Sequence, residues 1–188
     1  MTEENHAIQN AKGWTETIAE LVAALNCDYD RLEELRDERE SLVDDVDTAD
    51  EFNEDGTPNK ERTDAQTALA LWDQENAEEL AELTAAASID GTPCTDADAA
   101  RERIEESPLS VQVRDGWRSP GDNLTGAEEF EILLSTGGPA LRIRGELDQG
   151  QPSRAWLEYQ DWGTPWTQYF EVEQDTLLAF CQVFYFGE

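Results

Sequence analysis

From Trp14 onward the apolar residues recur at steps of three and four: Trp14, Ile18, Leu21, Leu25, Tyr29, Leu32, Leu35, Leu42 and Val46. That spacing puts them on one face of a helix. Arg39 interrupts the stripe, but neither Pro nor Gly occurs between Thr15 and Phe52, so the pattern predicts a single long helix from about 14 to 47. Turn signals follow in residues 48–63, with Asp55-Gly56 and Thr57-Pro58. A second stripe begins near Asp64 and runs through Ala68/Leu69, Trp72, Leu80, Leu83 and Ala87 until Asp90-Gly91-Thr92-Pro93 ends it. Two amphipathic helices joined by a turn-rich loop predict an antiparallel helical hairpin over about 13–88. Thr95-Asp96-Ala97-Asp98 is a helix start, a capping residue followed by acids in the first turn, and predicts a third helix to Glu106.

After Pro108 the period changes to two. Leu109, Val111 and Val113 alternate with Ser110, Gln112 and Arg114, the pattern of a half-buried strand. Further strands are predicted at Glu129–Thr136, Ala140–Leu147 and Arg154–Asp161, with a short hairpin turn at Gly137-Gly138-Pro139. The last of these strands has Ala155, Leu157 and Tyr159 on one side and Trp156 on the other, which predicts a strand that is central or covered on both sides. Leu177, Phe180, Cys181 and Phe184 lie at helical spacing and predict a C-terminal helix over Glu173–Phe184. Short turns between successive strands favour an antiparallel meander. The expected fold is therefore α+β. An acidic helical region spans residues 1–107, and residues 108–188 form an antiparallel sheet of about four strands with a C-terminal helix.

Charge separates the same two parts. The net charge is −31, from 44 acidic and 13 basic residues. Residues 1–107 hold 31 acids and 8 bases, whereas residues 108–188 hold 13 and 5. The aromatics run the opposite way and peak in Arg154–Phe170, with three tryptophans, two tyrosines and a phenylalanine. So negative a surface repels nucleic acid and anionic lipid and steers basic proteins toward it. Direct nucleic-acid binding, which needs Lys and Arg to displace counterions, is disfavoured. Only Lys12 and Lys60 are lysines, and scarce lysine with abundant acid is also the pattern of a salt-adapted proteome.

The chain offers little for catalysis. His6 is the one histidine, which removes ordinary Ser-His-Asp and Cys-His schemes, and no phosphate-binding or dinucleotide-binding glycine motif is present. Cys27, Cys94 and Cys181 are widely spaced, and they are expected to be reduced core thiols of a cytoplasmic protein. Residues 51–62 half-resemble a calcium loop, with Glu51, Asn53, Asp55 and Gly56 in place. Arg62, however, stands where the bidentate Glu belongs. No basic and apolar leader precedes Trp14, and no apolar run reaches the ~20 residues of a membrane span. No enzyme activity, cofactor or metal is expected.

The acids themselves carry the functional expectation. Asp30, Glu33, Glu34, Asp37, Glu38, Glu40, Asp44, Asp45 and Asp47 coat the first predicted helix away from its apolar stripe, and Asp73, Glu75, Glu78, Glu79 and Glu82 coat the second. Residues four apart on a helix rise ~6 Å, close to the spacing of successive phosphates. Such a hairpin could present carboxylates to a DNA-binding cleft in place of DNA. Trp117, Trp162 and Trp166 are further candidates, as aromatics that anchor interfaces.

The segments Leu109–Trp117, Leu134–Ala140, Tyr159–Trp166 and Phe184–Gly187 together resemble a family of small proteins from phages and mobile elements that has no established activity. The resemblance covers about residues 107–188; it implies a phage or plasmid context and transfers no catalytic residue. The acidic half is similar, in charge only, to the DNA-mimic inhibitors of restriction and CRISPR enzymes. The expected function is binding and inhibition of a basic, nucleic-acid-handling host protein. The competing expectation is a structural module that self-associates through the hairpin, its charge serving solubility.

Overall fold

The structure is a computed structural model that describes residues 6–117 and 126–187. It is α+β, with five helices and a five-stranded antiparallel sheet. The elements run α1 (His6–Leu25), α2 (Tyr29–Thr48), α3 (Lys60–Ala86), β1 (Ser88–Ile89), β2 (Thr92–Pro93), α4 (Ala97–Glu106), β3 (Ser110–Arg114), β4 (Glu129–Ser135), β5 (Ala140–Asp148), β6 (Gln151–Gln160), β7 (Thr167–Tyr169) and α5 (Gln174–Cys181).

The long first helix predicted over residues 14–47 is in fact two helices. Helix α1 ends at Leu25, and Asp28 starts α2 by accepting the backbone N–H of Arg31 at 3.0 Å. A side chain that bonds its own backbone competes with helix continuation, which is why Asp is favoured at such a start. The stripe stays in phase across the break because Leu25, Tyr29 and Leu32 are still three or four apart. Its two halves serve different partners, however. Ile18, Leu21 and Val22 of α1 enter the core of the sheet, whereas Leu32 and Leu35 of α2 are buried at the base of the hairpin with α3.

The sheet is a meander, each strand pairing with its neighbour in sequence, in the order β3-β4-β5-β6-β7. One face is apolar: Phe130, Ile132 and Leu134 of β4, Leu141 and Ile143 of β5, Ala155 and Leu157 of β6, and Tyr169 of β7. Over it lie α1 and α5, with α4 packed against α1, and the three helices contribute Ile18, Ile104, Leu177 and Phe180 to the same core. Thus α1 and α4, expected in a separate acidic region, share a core with the β domain, and that core crosses the expected boundary at Ser107/Pro108. Gly145 is required in this layer. A Cβ there would sit 2.2 Å from the carbonyl oxygen of Arg154 and 2.3 Å from the Phe130 ring.

Two expectations about strands are corrected. The sheet has a fifth strand, β7, beyond the about four expected, in a stretch after Pro165 for which no element was predicted. The first strand, β3, is not half-buried: Leu109, Val111 and Val113 are 61, 37 and 47% exposed. Their direction is as predicted, since Val111 and Val113 pair with Ile132 and Phe130 on the apolar face. The helical layer rests on β5 and β6 and does not reach this edge.

Helices α2 and α3 form the antiparallel hairpin. Their loop is closed by a bridge between Phe52 and Pro58, and Asn59 caps α3 by accepting the N–H of Glu61. The hairpin stands off the body. Helix α3 runs along α2, has no fully buried residue, and makes its main contacts with the body at α1 and β1. At its C-terminal end Asp90 (φ 50°) and Gly91 (φ 70°) make a two-residue turn between β1 and β2, the Asp-Gly chemistry that left-handed turns select.

Candidate functional site

The hairpin holds itself together with a few of its own charges. Arg31 makes a bidentate pair with Glu79, at 3.0 and 3.1 Å, and also reaches Glu34. Arg39 pairs with Asp73 at 2.9 Å, and the Trp72 indole N–H donates to Glu38 at 3.0 Å. These contacts fall at matched positions along two antiparallel helices and set their register. The Arg31 hydrogen bond holds the Glu79 carboxyl below its ordinary range, and the Arg31 guanidinium is raised in turn. Exposed pairs of this kind contribute little individually. Their value here is geometric, because they fix the register of a helix whose apolar stripe, Leu69, Trp72, Leu80 and Leu83, is only half-buried.

Of the fourteen predicted acids, Glu34, Glu38, Asp73 and Glu79 are thus engaged within the hairpin. The other ten, Asp30, Glu33, Asp37, Glu40, Asp44, Asp45, Asp47, Glu75, Glu78 and Glu82, are exposed and make no side-chain hydrogen bond or ion pair among the described residues. Residues 29–86 carry 20 acids and 5 bases, a net −15 of the total −31 in less than a third of the chain. Between residues 40 and 59 there are eight acids and no base. At 27 residues, α3 is about 40 Å long, and a duplex of that length carries about 24 phosphate charges. The hairpin therefore has roughly 60% of the linear charge of DNA. The half-calcium loop at its tip is bonded internally. Asp55 accepts from the backbone N–H and the hydroxyl of Thr57, which lowers its pKa. No group of three potential metal ligands occurs among the described residues.

The three candidate tryptophans do not come together with the acids. Trp117 is fully exposed at the end of β3. Trp162 is exposed in the turn after β6, with its indole edge over Gly138, where a Cβ would lie 2.1 Å from Nε1. Trp166 is half-buried on the second face of the sheet, stacked on the Arg142 guanidinium at 4.0 Å from the ring centroid.

That second face was not anticipated as a unit. The sequence predicts β6 to be central or covered on both sides. It is central, between β5 and β7; among the described residues no helix lies on its second face, where Trp156 is shielded by polar neighbours. Arg142 pairs with Glu131 at 2.8 Å and Glu158 at 2.7 Å, Arg144 and Arg114 share Glu129, and the Trp156 indole donates to Glu158. A hollow of about 250 Å³ lies between Gln112, Arg114, Glu129, Glu131, Arg142 and Arg144. Every arginine lining it is already paired, so the face is a self-neutralised lattice and not an anion site. The alternation of Arg142, Arg144 and Glu146 was legible in the sequence; the pairing register that neutralises them was not.

The thiols are free. Cys94 and Cys181 are buried, and burial pushes the Cys181 thiol well above its ordinary pKa. Cys27, half-buried at the α1–α2 break, donates to the Leu83 carbonyl at 3.6 Å.

No protein-family model, curated protein or solved structure matches the chain. No helix among the described residues is long and apolar enough to cross a membrane.

Proposed function

We propose that the protein binds a nucleic-acid-handling protein of the host cytoplasm and inhibits it by offering the α2–α3 hairpin in place of DNA. The observation that carries this reading is the concentration of unpaired acid on an arm that stands off the folded body. Ten free carboxylates lie on the two helices, the arm over residues 29–86 carries a net −15, and Glu34, Glu38, Asp73 and Glu79 are engaged within the hairpin. Charge that served only solubility would need neither that concentration nor a projecting arm. A cleft built for duplex DNA is lined by Lys and Arg at phosphate spacing, and it would exchange its condensed anions for these carboxylates. The targets suggested by the charge resemblance are restriction and CRISPR-type nucleases. The resemblance read in residues 107–188 to phage and mobile-element proteins accords with this reading, because such elements are what those enzymes attack. Trp117 and Trp162, exposed on the body, are the apolar anchors available beside the arm.

The test is cleavage of a labelled duplex by a panel of purified restriction and RNA-guided nucleases, with the protein added at increasing concentration. The reading expects at least one nuclease to be inhibited, with inhibition weakening steeply as salt rises. It also expects the inhibition to vanish when Glu33, Asp37, Glu40, Asp44, Asp47, Glu75, Glu78 and Glu82 are replaced by their amides. Inhibition that the amide variant retains would refute mimicry by the hairpin.

A further inference from the structure

Edge strands expose unpaired backbone groups, and folded proteins usually protect them with an inward-facing charge, a proline or a bulge. At one edge of this sheet β7 is protected by brevity, at three residues. At the other, β3 has five residues, Ser110-Val111-Gln112-Val113-Arg114, with no proline and no charge facing the apolar side. Pro108 only precedes it. From Ser107 to Arg114 there is no acid, in a chain that averages almost one acid in four residues. Leu109, Val111 and Val113 stand on the core face and remain uncovered.

We propose that β3 is a self-association edge, pairing antiparallel with β3 of a second copy about a twofold axis through Gln112. The strand is self-complementary about that residue. Val111 of each copy falls opposite Val113 of the other, so the two exposed apolar strips join on one face, where directly opposed side chains contact each other. The Gln112 carboxamides face each other on the second face, and each can both donate and accept. Ser110, an acceptor, falls opposite Arg114 of the other copy. The two Arg114 side chains end up four residue steps apart, about 14 Å, beyond the ~8 Å screening length of physiological salt. No like charges are opposed, and the joined sheet has ten strands. Pairing over five residues is smaller than a standard interface, so the dimer is weak and exchanges with monomer. Its salt dependence has a definite sign. Two −31 chains repel each other, and salt screens that repulsion, so association strengthens as salt rises. Binding of the hairpin to a basic target weakens with salt, so the two properties fail separately.

The experiment is sedimentation velocity of the full chain across protein concentration at 0.05 and 1 M NaCl. Wild type is expected to move toward dimer with concentration, with an apparent dissociation constant about tenfold lower at the higher salt. Val113→Lys places a charge at the centre of the joined strip on a residue already half exposed, so the fold, checked by circular dichroism, persists. It also lowers the net negative charge, so loss of the dimer cannot come from added repulsion between the whole chains, and the two introduced lysines, about 7 Å apart, are screened at 1 M salt. V113K and V111K are both expected to sediment as monomers in 1 M salt. A wild-type monomer at every concentration and salt would overturn the proposal. So would a dimer that persists in V113K and is lost in Leu80→Glu on α3, since that would place self-association in the hairpin.

Discussion

The body and the arm solve the problem of holding helices in place by opposite means. In the body, α1 and α5 are pressed on an apolar sheet face with α4 packed on α1, and Ile18, Ile104, Phe130, Leu157 and Phe180 are completely or nearly completely buried. In the arm, no residue of α3 is fully buried, Leu69, Trp72, Leu80 and Leu83 being half-buried, and α2 fully buries only Leu32 and Leu35 near its base. What aligns the rest of the arm is a short series of polar contacts, Arg31 with Glu79, Arg39 with Asp73 and Glu38 with Trp72. The difference shows what each part is free to do. A surface that carries no packing duty can be covered with charge, and the arm is where the uncommitted carboxylates are.

The largest effect expected from breaking this comparison is in the body. Phe130→Ala removes a ring packed on Phe186 at 4.6 Å and on the backbone of Gly145. It should cost about 3–5 kcal/mol, measured as a shift in the urea midpoint, whereas Leu42→Ala in the half-exposed outer part of the arm should cost less than about 1 kcal/mol. If the two substitutions cost the same, the arm has a core that its burial does not reveal. Next in size is Gly145→Ala. Its new methyl would meet a backbone oxygen, which cannot rotate away, and overpacking of this kind costs about 1–3 kcal/mol on the same denaturation curve.

Smaller still is the response of the arm to acid. Glu79 has a pKa lowered by Arg31, so its contribution to hairpin alignment is full above about pH 4.5 and is lost as the pH falls through the lower value it has in the hairpin. The NMR signal of the Trp72 indole N–H, which lies on the same interface, should therefore move toward its unpaired position below that pH. In Glu79→Gln the Glu79-linked part of the transition should disappear. A transition unchanged in E79Q would contradict the assignment to Glu79. The smallest effect is on reactivity. A thiol reagent added to the native protein should modify half-buried Cys27 well before Cys181, whose burial both blocks access and disfavours the thiolate.

Much of this architecture could be read from the order of residues, and the failures share a cause. Alternation located β3 to β6, helical spacing located α3 and α5, and the start signal at residues 95–98 located α4; the first two patterns report which face of an element is apolar. They do not report what covers that face. The stripe from Trp14 to Val46 is continuous, yet one half packs on a sheet and the other on a helix, and only the capping carboxylate of Asp28 marks the change. Leu109, Val111 and Val113 alternate like any half-buried strand, but they lie beyond the reach of the helical layer. Trp156 looked like a residue needing a second apolar layer and instead meets Glu158 and the lattice of paired arginines. The fourteen acids were legible as a coat on two helices. Which four align the hairpin depends on interhelical register, which no local pattern encodes.

The central claim, that the arm's free carboxylates stand in for DNA, is tested most directly by capture from host lysate. The tagged wild-type protein and the eightfold amide variant would be compared at low salt, with and without excess duplex DNA, and retained proteins identified by mass spectrometry. The account predicts a nucleic-acid enzyme retained by wild type, displaced by duplex and absent from the variant. Retention of the same proteins by both, or of nothing that duplex displaces, would contradict it.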